Sequence, residues 1–171
     1  LLMGLVAGSN VEATFIGDES LSKRPMKRIS DPLSEMGANI ITKNGSMPLY
    51  IKGKSLIAKS IDLKIPSAQI KSGILLASLN TKGETIITEN KITRDHTEIM
   101  LESFGAKIDI KKIENKKILK IIGQTELYSK NIDVPNDLSS CAFFIVSALI
   151  NDNSNLIIKN INNNPTRNGI I

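Results

Sequence analysis

Hydroxyl, amide and guanidinium side chains are concentrated in three short polar stretches of this sequence. The stretches are residues 20–28, 66–72 and 93–98, and each adjoins a helix-like apolar run. The first turn of a helix leaves backbone N–H groups without partners, and the helix dipole favours negative charge there. Three such positions in one basic chain therefore indicate a binding surface for a substrate with several anionic groups.

The first stretch contains an arginine with a restricted backbone. Arg24 precedes Pro25, which disfavours helical geometry at the preceding residue and suits the first position of a helix. We therefore predict a helix that starts at Pro25, and a guanidinium fork suited to a carboxylate or a phosphate. The alternative, which spacing alone favours, is a surface arginine on a basic turn with Lys23, Lys27 and Arg28.

The second stretch places small and amide side chains directly after Pro66. Ser67 is predicted to be the N-cap of the following helix. Gln69 would then lie at the second or third helical position, where it can present a donor and an acceptor beside free N–H groups. Ser67 and Ala68 are small enough to let a ligand approach the backbone. From the residues alone, capping is the favoured interpretation and binding the second.

The third stretch combines a hydroxyl, a cation and the only histidine. Thr93 is predicted to be an N-cap with Arg94 beside it. A single histidine without cysteines or clustered carboxylates is weak support for a metal, so no metal site is predicted. Asp95, His96 and Glu98 are instead predicted to make helix-start interactions. No nucleophile–base pair can be assigned, and we predict no catalytic residue within this sequence.

The composition is that of an ordinary globular protein with one core. The 171 residues are 41% hydrophobic and 23% charged, with a net charge of +5. Four Phe, two Tyr and no Trp provide few platforms for stacking bases, so no nucleic-acid partner is predicted. The single cysteine, Cys141, excludes an internal disulfide, and its apolar neighbours predict a buried, unreactive thiol in a reducing compartment. No apolar stretch has the length of a membrane span, and no membrane partner is predicted.

Internal repetition is the main indication of the architecture. Apolar triplets begin at positions 14, 85 and 156, an equal spacing of 71 residues, and each follows a helix-like run. Polar helix starts are predicted at Ser22, Thr93 and Asn164 with the same spacing. Gly37 and Gly105 follow the first two of these helices, where a left-handed terminating residue is expected.

Each repeat is predicted to contain a helix, a strand, a polar turn, a second helix and two further strands. This order indicates an α/β fold built from repeated βαβαββ units. The predicted units are residues 1–57, 58–128 and the start of another at 129–171, packed as one domain. In the third unit we predict a helix over 139–150 that is capped by Asp137 or Ser139, and a strand at 156–158.

Taken in order, these segments resemble the enolpyruvyl transferases, in particular the branch that acts on shikimate 3-phosphate. The matching motifs span nearly the whole chain and include Lys-Arg-Pro-Met-Lys-Arg at 23–28, Met-Gly-Ala at 36–38, Ser-Ala-Gln-Ile-Lys-Ser at 67–72, Arg-Asp-His-Thr-Glu at 94–98, Asp-Leu-Ser-Ser at 137–140 and Asn-Pro-Thr-Arg at 164–167. The resemblance implies most of one lobe of an inside-out α/β barrel, with helices inside and sheets outside.

The resemblance also implies an activity and its binding residues. The activity is transfer of the enolpyruvyl group of phosphoenolpyruvate to the 5-hydroxyl of shikimate 3-phosphate, with release of phosphate and without a metal or organic cofactor. Gln69 would touch both substrates, and Thr93 stands where the family usually has serine. The implied binding residues are Arg24 for phosphoenolpyruvate and Ser67, Ala68, Gln69, Thr93 and Arg94 for shikimate 3-phosphate.

Several family segments have no counterpart in this sequence, including the carboxy-terminal acid–base residues. The chain is therefore expected to be an inactive part of a longer protein, which when complete would be a cytoplasmic monomer. Two alternatives stay open. One is the related transferase that acts on UDP-N-acetylglucosamine, although its usual loop cysteine is absent from residues 17–28. The other is a non-catalytic module that binds polyanions through its basic surface.

Overall fold

The computed structural model describes residues 1–167 and 169. The helices are α1 (Leu2–Ala7), α2 (Glu19–Ser22), α3 (Lys27–Glu35), α4 (Ala68–Ser78), α5 (His96–Ser103) and α6 (Leu138–Leu149). The strands are β1 (Glu12–Phe15), β2 (Asn39–Lys43), β3 (Ser46–Lys52), β4 (Ser60–Leu63), β5 (Glu84–Glu89), β6 (Lys107–Ile113) and β7 (Lys116–Ile122). Within these residues no helix combines the length and the apolar character that crossing a membrane requires.

The strands form two sheets, one from each of the first two repeats. The first sheet has the order β1-β3-β2 and is antiparallel. The second has the order β4-β5-β7-β6, in which β4 and β5 are parallel and the other pairs antiparallel. Parallel neighbours need a crossover, and α4 provides it between β4 and β5. Elements β4 to β7 therefore run βαβαββ, as predicted.

The core lies between the sheets and is filled by helices. Leu49 and Ile51 of β3 and Leu119 and Ile121 of β7 alternate with more exposed residues, so each sheet turns one face inward. Helix α4 contacts α1, α3 and β7, and most of its residues are buried. Helices thus lie inside and sheets outside, which confirms the predicted layer order.

Helices α1, α3 and α4 meet at two glycines. A Cβ atom on Gly4 of α1 would lie 1.8 Å from the carbonyl oxygen of Gly73 in α4. A Cβ on Gly73 would in turn lie 2.9 Å from Cδ1 of Ile29 in α3. Only residues without a side chain allow two helix backbones to come this close. The position of α1 against α4 therefore depends on these two glycines, whereas the contact of Gly73 with α3 is to the flexible end of the Ile29 side chain.

The predicted helix terminators are confirmed. Gly37 has φ 93° and Gly105 has φ 94°, the left-handed region in which glycine carries no Cβ penalty. In both cases the following alanine donates its amide to the carbonyl five residues earlier, at 3.0 Å after α3 and 2.9 Å after α5. These bonds satisfy helix carbonyls that would otherwise lack partners, and they end both helices in the same way.

Two predicted helix starts in the first repeat are wrong. Helix α3 begins at Lys27 rather than Pro25: Met26 is its N-cap residue, and the Met26 carbonyl accepts the Ser30 amide at 3.0 Å. Ser22 ends α2 instead of starting a helix. The reason is that Asp18, one turn earlier, acts as the N-cap and accepts the Leu21 amide at 2.7 Å.

The third repeat agrees with prediction in its helix and differs after it. Asp137 caps α6 and accepts the amide of Ser139 at 3.3 Å, as predicted. The predicted strand at 156–158 is wrong, because the only pairing of this region within the described residues is an isolated bridge between Asn136 and Ile161. Asn164 begins a turn through Arg167, and any continuation as a helix falls outside the described residues.

The prediction of a buried cysteine is also wrong. Cys141 is only half-buried, because α6 buries a single residue, Leu138, against the rest of the described chain. The side of α6 away from that contact is apolar, with Phe143 83% and Phe144 66% exposed. The sequence identified the apolar helix correctly but could not indicate which elements cover it.

Candidate functional site

The amino terminus of α4 is shaped by its first three residues. Ser67 has an extended backbone and its Oγ accepts the Ile70 amide at 3.4 Å, so the predicted N-cap is confirmed. Ala68 and Gln69 are the first two helical residues. Their N–H groups have no partner within the helix, since an α-helix leaves its first donors free. The Gln69 side chain is exposed beside them.

The segment after β5 lies next to this helix start, because β4 and β5 are parallel neighbours. Leu63 pairs with Glu89 at the last position of both strands. Ser67 follows the first of these residues by four positions and Thr93 follows the second by four. Chain segments that leave the carboxyl ends of adjacent parallel strands emerge at one edge of the sheet, where open α/β folds bind ligands.

Thr93 does not cap a helix, and that prediction is wrong. Asp95 occupies the N-cap position of α5, without a side-chain capping bond. The Thr93 hydroxyl donates instead to Oε1 of Glu89 at the end of β5. This bond anchors residues 92–94 as a loop against the sheet rather than as the first turn of a helix.

A cleft of about 420 Å³ lies between the α4 start and this loop. Five of the six predicted binding residues contribute to it, and Arg24 does not. Thr166, from the turn after Asn164, contributes as well and was not predicted. The lining residues are Pro66, Ser67, Ala68, Gln69, Ile92, Thr93, Arg94 and Thr166.

Arg24 is exposed in the turn between α2 and α3. Its neighbour Pro25 borders a different groove of about 590 Å³ between α3 and β4. That groove is lined by side chains of both signs, and two of them, Lys27 and Asp31, pair with each other at 3.2 Å. Because acids and bases are mixed there, the larger groove is a poorer match to a polyanion than the smaller cleft.

A buried ionic network lies behind the cleft. Lys71 of α4 is fully buried, and its Nζ donates to Glu89 Oε2 at 3.0 Å and to the Arg94 carbonyl at 2.9 Å. The same Nζ lies 2.7 Å from Glu98 Oε1, which also accepts from Lys117 Nζ at 2.8 Å. Two lysines balance two glutamates, as buried charges require. The network joins α4, β5, α5 and β7.

Asp95 and His96 connect α5 to the turn that supplies Thr166. Asp95 Oδ1 accepts from Asn164 Nδ2 at 2.7 Å and from Thr166 Oγ1 at 3.4 Å, while His96 Nε2 lies 2.9 Å from Asn162 Nδ2. Burial acts to raise the pKa of Asp95, but the Asn164 hydrogen bond and the charge of Lys117 outweigh it, so the pKa lies below its usual value. Asp95, His96 and Glu98 lie at the start of α5 as predicted, with Asp95 at the N-cap position and Glu98 in the first turn, but Asp95 makes no side-chain capping bond and the three side chains bind other segments.

The cleft can bind anions but offers no acid–base pair of its own. Its lining supplies free backbone amides, an amide side chain, hydroxyl groups and one guanidinium. These groups match a phosphorylated acid, because helix-start amides and arginine both bind oxyanions. Within the described lining there is no Asp, Glu, His, Lys or Cys side chain that could transfer a proton.

The fold and this cleft define a lobe of the enolpyruvyl transferase type. The crystal structure of the enolpyruvyl transferase NikO from Streptomyces tendae has this fold, with a TM-score of 0.59 at 21% identity over 86% of this chain and 35% of that one. The family model of EPSP synthase (3-phosphoshikimate 1-carboxyvinyltransferase) matches residues 1–171, and the chain belongs to that family.

Individual relatives agree with this family. The chain is 48% identical over 172 residues to a 3-phosphoshikimate 1-carboxyvinyltransferase from Ruthia magnifica subsp. Calyptogena magnifica, covering 100% of the chain and 39% of the relative. It is 44% identical to the corresponding protein of Maricaulis maris, covering 100% and 38%. EPSP synthase from Acinetobacter baumannii has a TM-score of 0.83 at 44% identity, over 99% of this chain and 38% of that chain. The sequence thus spans less than half of these relatives.

Proposed function

We propose that the complete protein transfers the enolpyruvyl group of phosphoenolpyruvate to the 5-hydroxyl of shikimate 3-phosphate and releases phosphate, on the route to chorismate and the aromatic amino acids. One observation carries this proposal. Ser67, Ala68 and Gln69 at the α4 start share a single cleft with Thr93 and Arg94. Membership in the EPSP synthase family supports the choice of substrates.

The cleft residues have complementary roles toward shikimate 3-phosphate. Arg94 supplies positive charge and Thr93 stands beside it, while Ser67 and Ala68 let the ligand approach the helix-start amides. Capping and binding are compatible for Ser67, because a hydroxyl that accepts the Ile70 amide still has a proton to donate. Gln69 is proposed to contact both substrates through the two ends of its amide.

Arg24 is proposed to bind phosphoenolpyruvate, and the family motif alone supports this role. It lies outside the cleft in the described chain. The acid–base residues are proposed to belong to other parts of the complete protein, so that the 171 residues alone are inactive. We also propose that the complete protein needs no metal or organic cofactor, is a cytoplasmic monomer, and contains units at 1–57, 58–128 and from 129 onward.

The activity is tested by phosphate release with the complete protein. Release from phosphoenolpyruvate is expected only when shikimate 3-phosphate is present, and Arg24→Ala is expected to raise the KM for phosphoenolpyruvate. UDP-N-acetylglucosamine is expected not to replace shikimate 3-phosphate. Release that does not respond to shikimate 3-phosphate would contradict the proposal. Equal affinity for any polyanion, lost steeply with added salt, would favour a basic binding module instead.

Arg94→Ala is expected to weaken binding of shikimate 3-phosphate by roughly tenfold to 100-fold, because a hydrogen bond to a charged group contributes about 1.5–3 kcal/mol. Titration calorimetry with the complete protein measures this change. The matched control is Lys91→Ala, which removes an exposed cation three residues away that does not line the cleft. Equal losses in the two variants would show that general charge, and not contact with Arg94, governs binding.

A further inference from the structure

The buried network behind the cleft contains a direct connection between two of its walls. Lys71 lies one turn into α4, the helix that presents Ser67 and Gln69, and it is fully buried. Its Nζ donates to the main-chain carbonyl of Arg94 in the opposite wall, at 2.9 Å. The ammonium group does not reach the cleft lining, so it acts on the backbone of that wall and not on a ligand.

Glu89, at the end of β5, binds both Lys71 and Thr93. Its Oε2 accepts from Lys71 at 3.0 Å and its Oε1 accepts from the Thr93 hydroxyl. The Thr93 side chain is thus held by Glu89, and the Arg94 main-chain carbonyl is held by Lys71. Because Lys71 and Glu89 pair with each other, both bonds belong to one buried pair. We call Lys71 and Glu89 the clamp. Separating this buried pair would leave the Glu89 carboxylate without its lysine, which is costly away from water.

We propose that the clamp sets the spacing between the α4 start and the Thr93–Arg94 loop, and that Lys71 and Glu89 are positioning residues for shikimate 3-phosphate. This inference rests on the proposed function. A rigid ligand that is bound from both walls requires the walls at one separation, and a displacement of about 1 Å can cost on the order of 100-fold in rate. Phosphoenolpyruvate, which is assigned to Arg24 and one end of Gln69, depends less on that separation.

The network provides a matched pair of variants for the test. Lys71→Met and Lys117→Met each remove one fully buried ammonium that binds Glu98, and each leaves the network with one excess negative charge. Methionine is a flexible apolar side chain suited to filling the vacated space. The variants differ at the clamp, since Lys71 also binds Glu89 and the Arg94 carbonyl, whereas Lys117 pairs with Glu98 alone within the described residues.

The experiment uses the complete protein and measures stability together with the KM of each substrate. Both variants are expected to lose stability in urea, and Lys71→Met more than Lys117→Met because it also leaves Glu89 without its lysine. Only Lys71→Met is expected to raise the KM for shikimate 3-phosphate, by about tenfold to 100-fold, with the KM for phosphoenolpyruvate changed less than threefold. The charge-balanced double variant Lys71→Met/Glu89→Gln is expected to recover stability while keeping the raised KM.

The outcomes separate the inference from the function on which it rests. Equal KM changes in Lys71→Met and Lys117→Met would show plain destabilisation and overturn the clamp. If Lys71→Met does not fold, the KM for shikimate 3-phosphate is measured with Lys71→Met/Glu89→Gln instead. A normal KM in that double variant would also overturn the clamp. Wild-type protein that fails to turn over shikimate 3-phosphate would overturn the proposed function and the clamp together. Normal wild-type turnover with unaltered variants would overturn the clamp alone.

Discussion

Gln69→Ala is expected to lower kcat/KM of the complete protein by about 100-fold or more. The amide is proposed to contact both substrates, and each hydrogen bond to a charged group contributes about 1.5–3 kcal/mol, roughly tenfold or more in rate. The substitution isolates binding from folding for a structural reason. Gln69 is exposed at the second position of α4, and alanine is the best helix former, so the helix itself is not weakened. Steady-state phosphate release measures the effect.

Two further variants sharpen that result. Glu102→Ala changes an exposed polar side chain of α5 that does not line the cleft, and it is expected to leave kcat/KM within twofold of wild type. Gln69→Glu keeps the shape of the side chain but places a carboxylate against anionic substrates, so it is expected to be at least as damaging as Gln69→Ala. Full activity of the Gln69→Ala protein would show that Gln69 does not contact the substrates.

Gly4→Ala is expected to destabilise the protein by about 3 kcal/mol or more. The new methyl group would lie 1.8 Å from the Gly73 carbonyl oxygen, which belongs to the backbone of α4 and cannot rotate away. The two helices would have to separate, and overpacking in a core typically costs about 1–3 kcal/mol, occasionally more. Urea unfolding of the complete protein, followed by circular dichroism, gives the change in free energy.

Gly37→Ala is the matched control for this prediction. Gly37 has φ 93°, but a Cβ there would meet nothing within 4 Å. The expected cost is about 1–2 kcal/mol, from the left-handed backbone alone. A Gly4→Ala protein that is no less stable than Gly37→Ala would mean that α1 and α4 are not in backbone contact.

The elements that could be predicted from sequence are those whose signals are local. The equal spacing of apolar triplets indicated the repeat, and the glycines at 37 and 105 marked helix ends, because only a left-handed position calls for glycine there. Ser67 was recognisable as an N-cap because Pro66 and the following apolar run fix where α4 begins. The layer order, with helices inside and sheets outside, came from the resemblance to the enolpyruvyl transferases and not from the repeat.

Several missed features depend on contacts that a local pattern does not reveal. Thr93 has the chemistry of a cap, but α5 starts later in the chain, with Asp95 at its N-cap position, and the Thr93 hydroxyl donates to the buried Glu89. Lys71 is the one charged residue of α4, and no periodicity shows that its charge is balanced by Glu89 of β5 and Glu98 of α5. Thr166, which lines the cleft, makes a hydrogen bond to Asp95, 71 positions earlier.

The parallel pairing of β4 and β5 has a consequence for the geometry of the cleft. Ser67 and Thr93 each follow the last paired position, Leu63 with Glu89, by the same number of residues. A slip of one residue between these strands would shift one wall by about 3.3 Å against the other and turn every β4 side chain to the opposite face. An inserted or deleted residue inside β4 would thus change the separation of the proposed binding residues without replacing any of them. The ladder between two short strands therefore sets the spacing of the cleft walls.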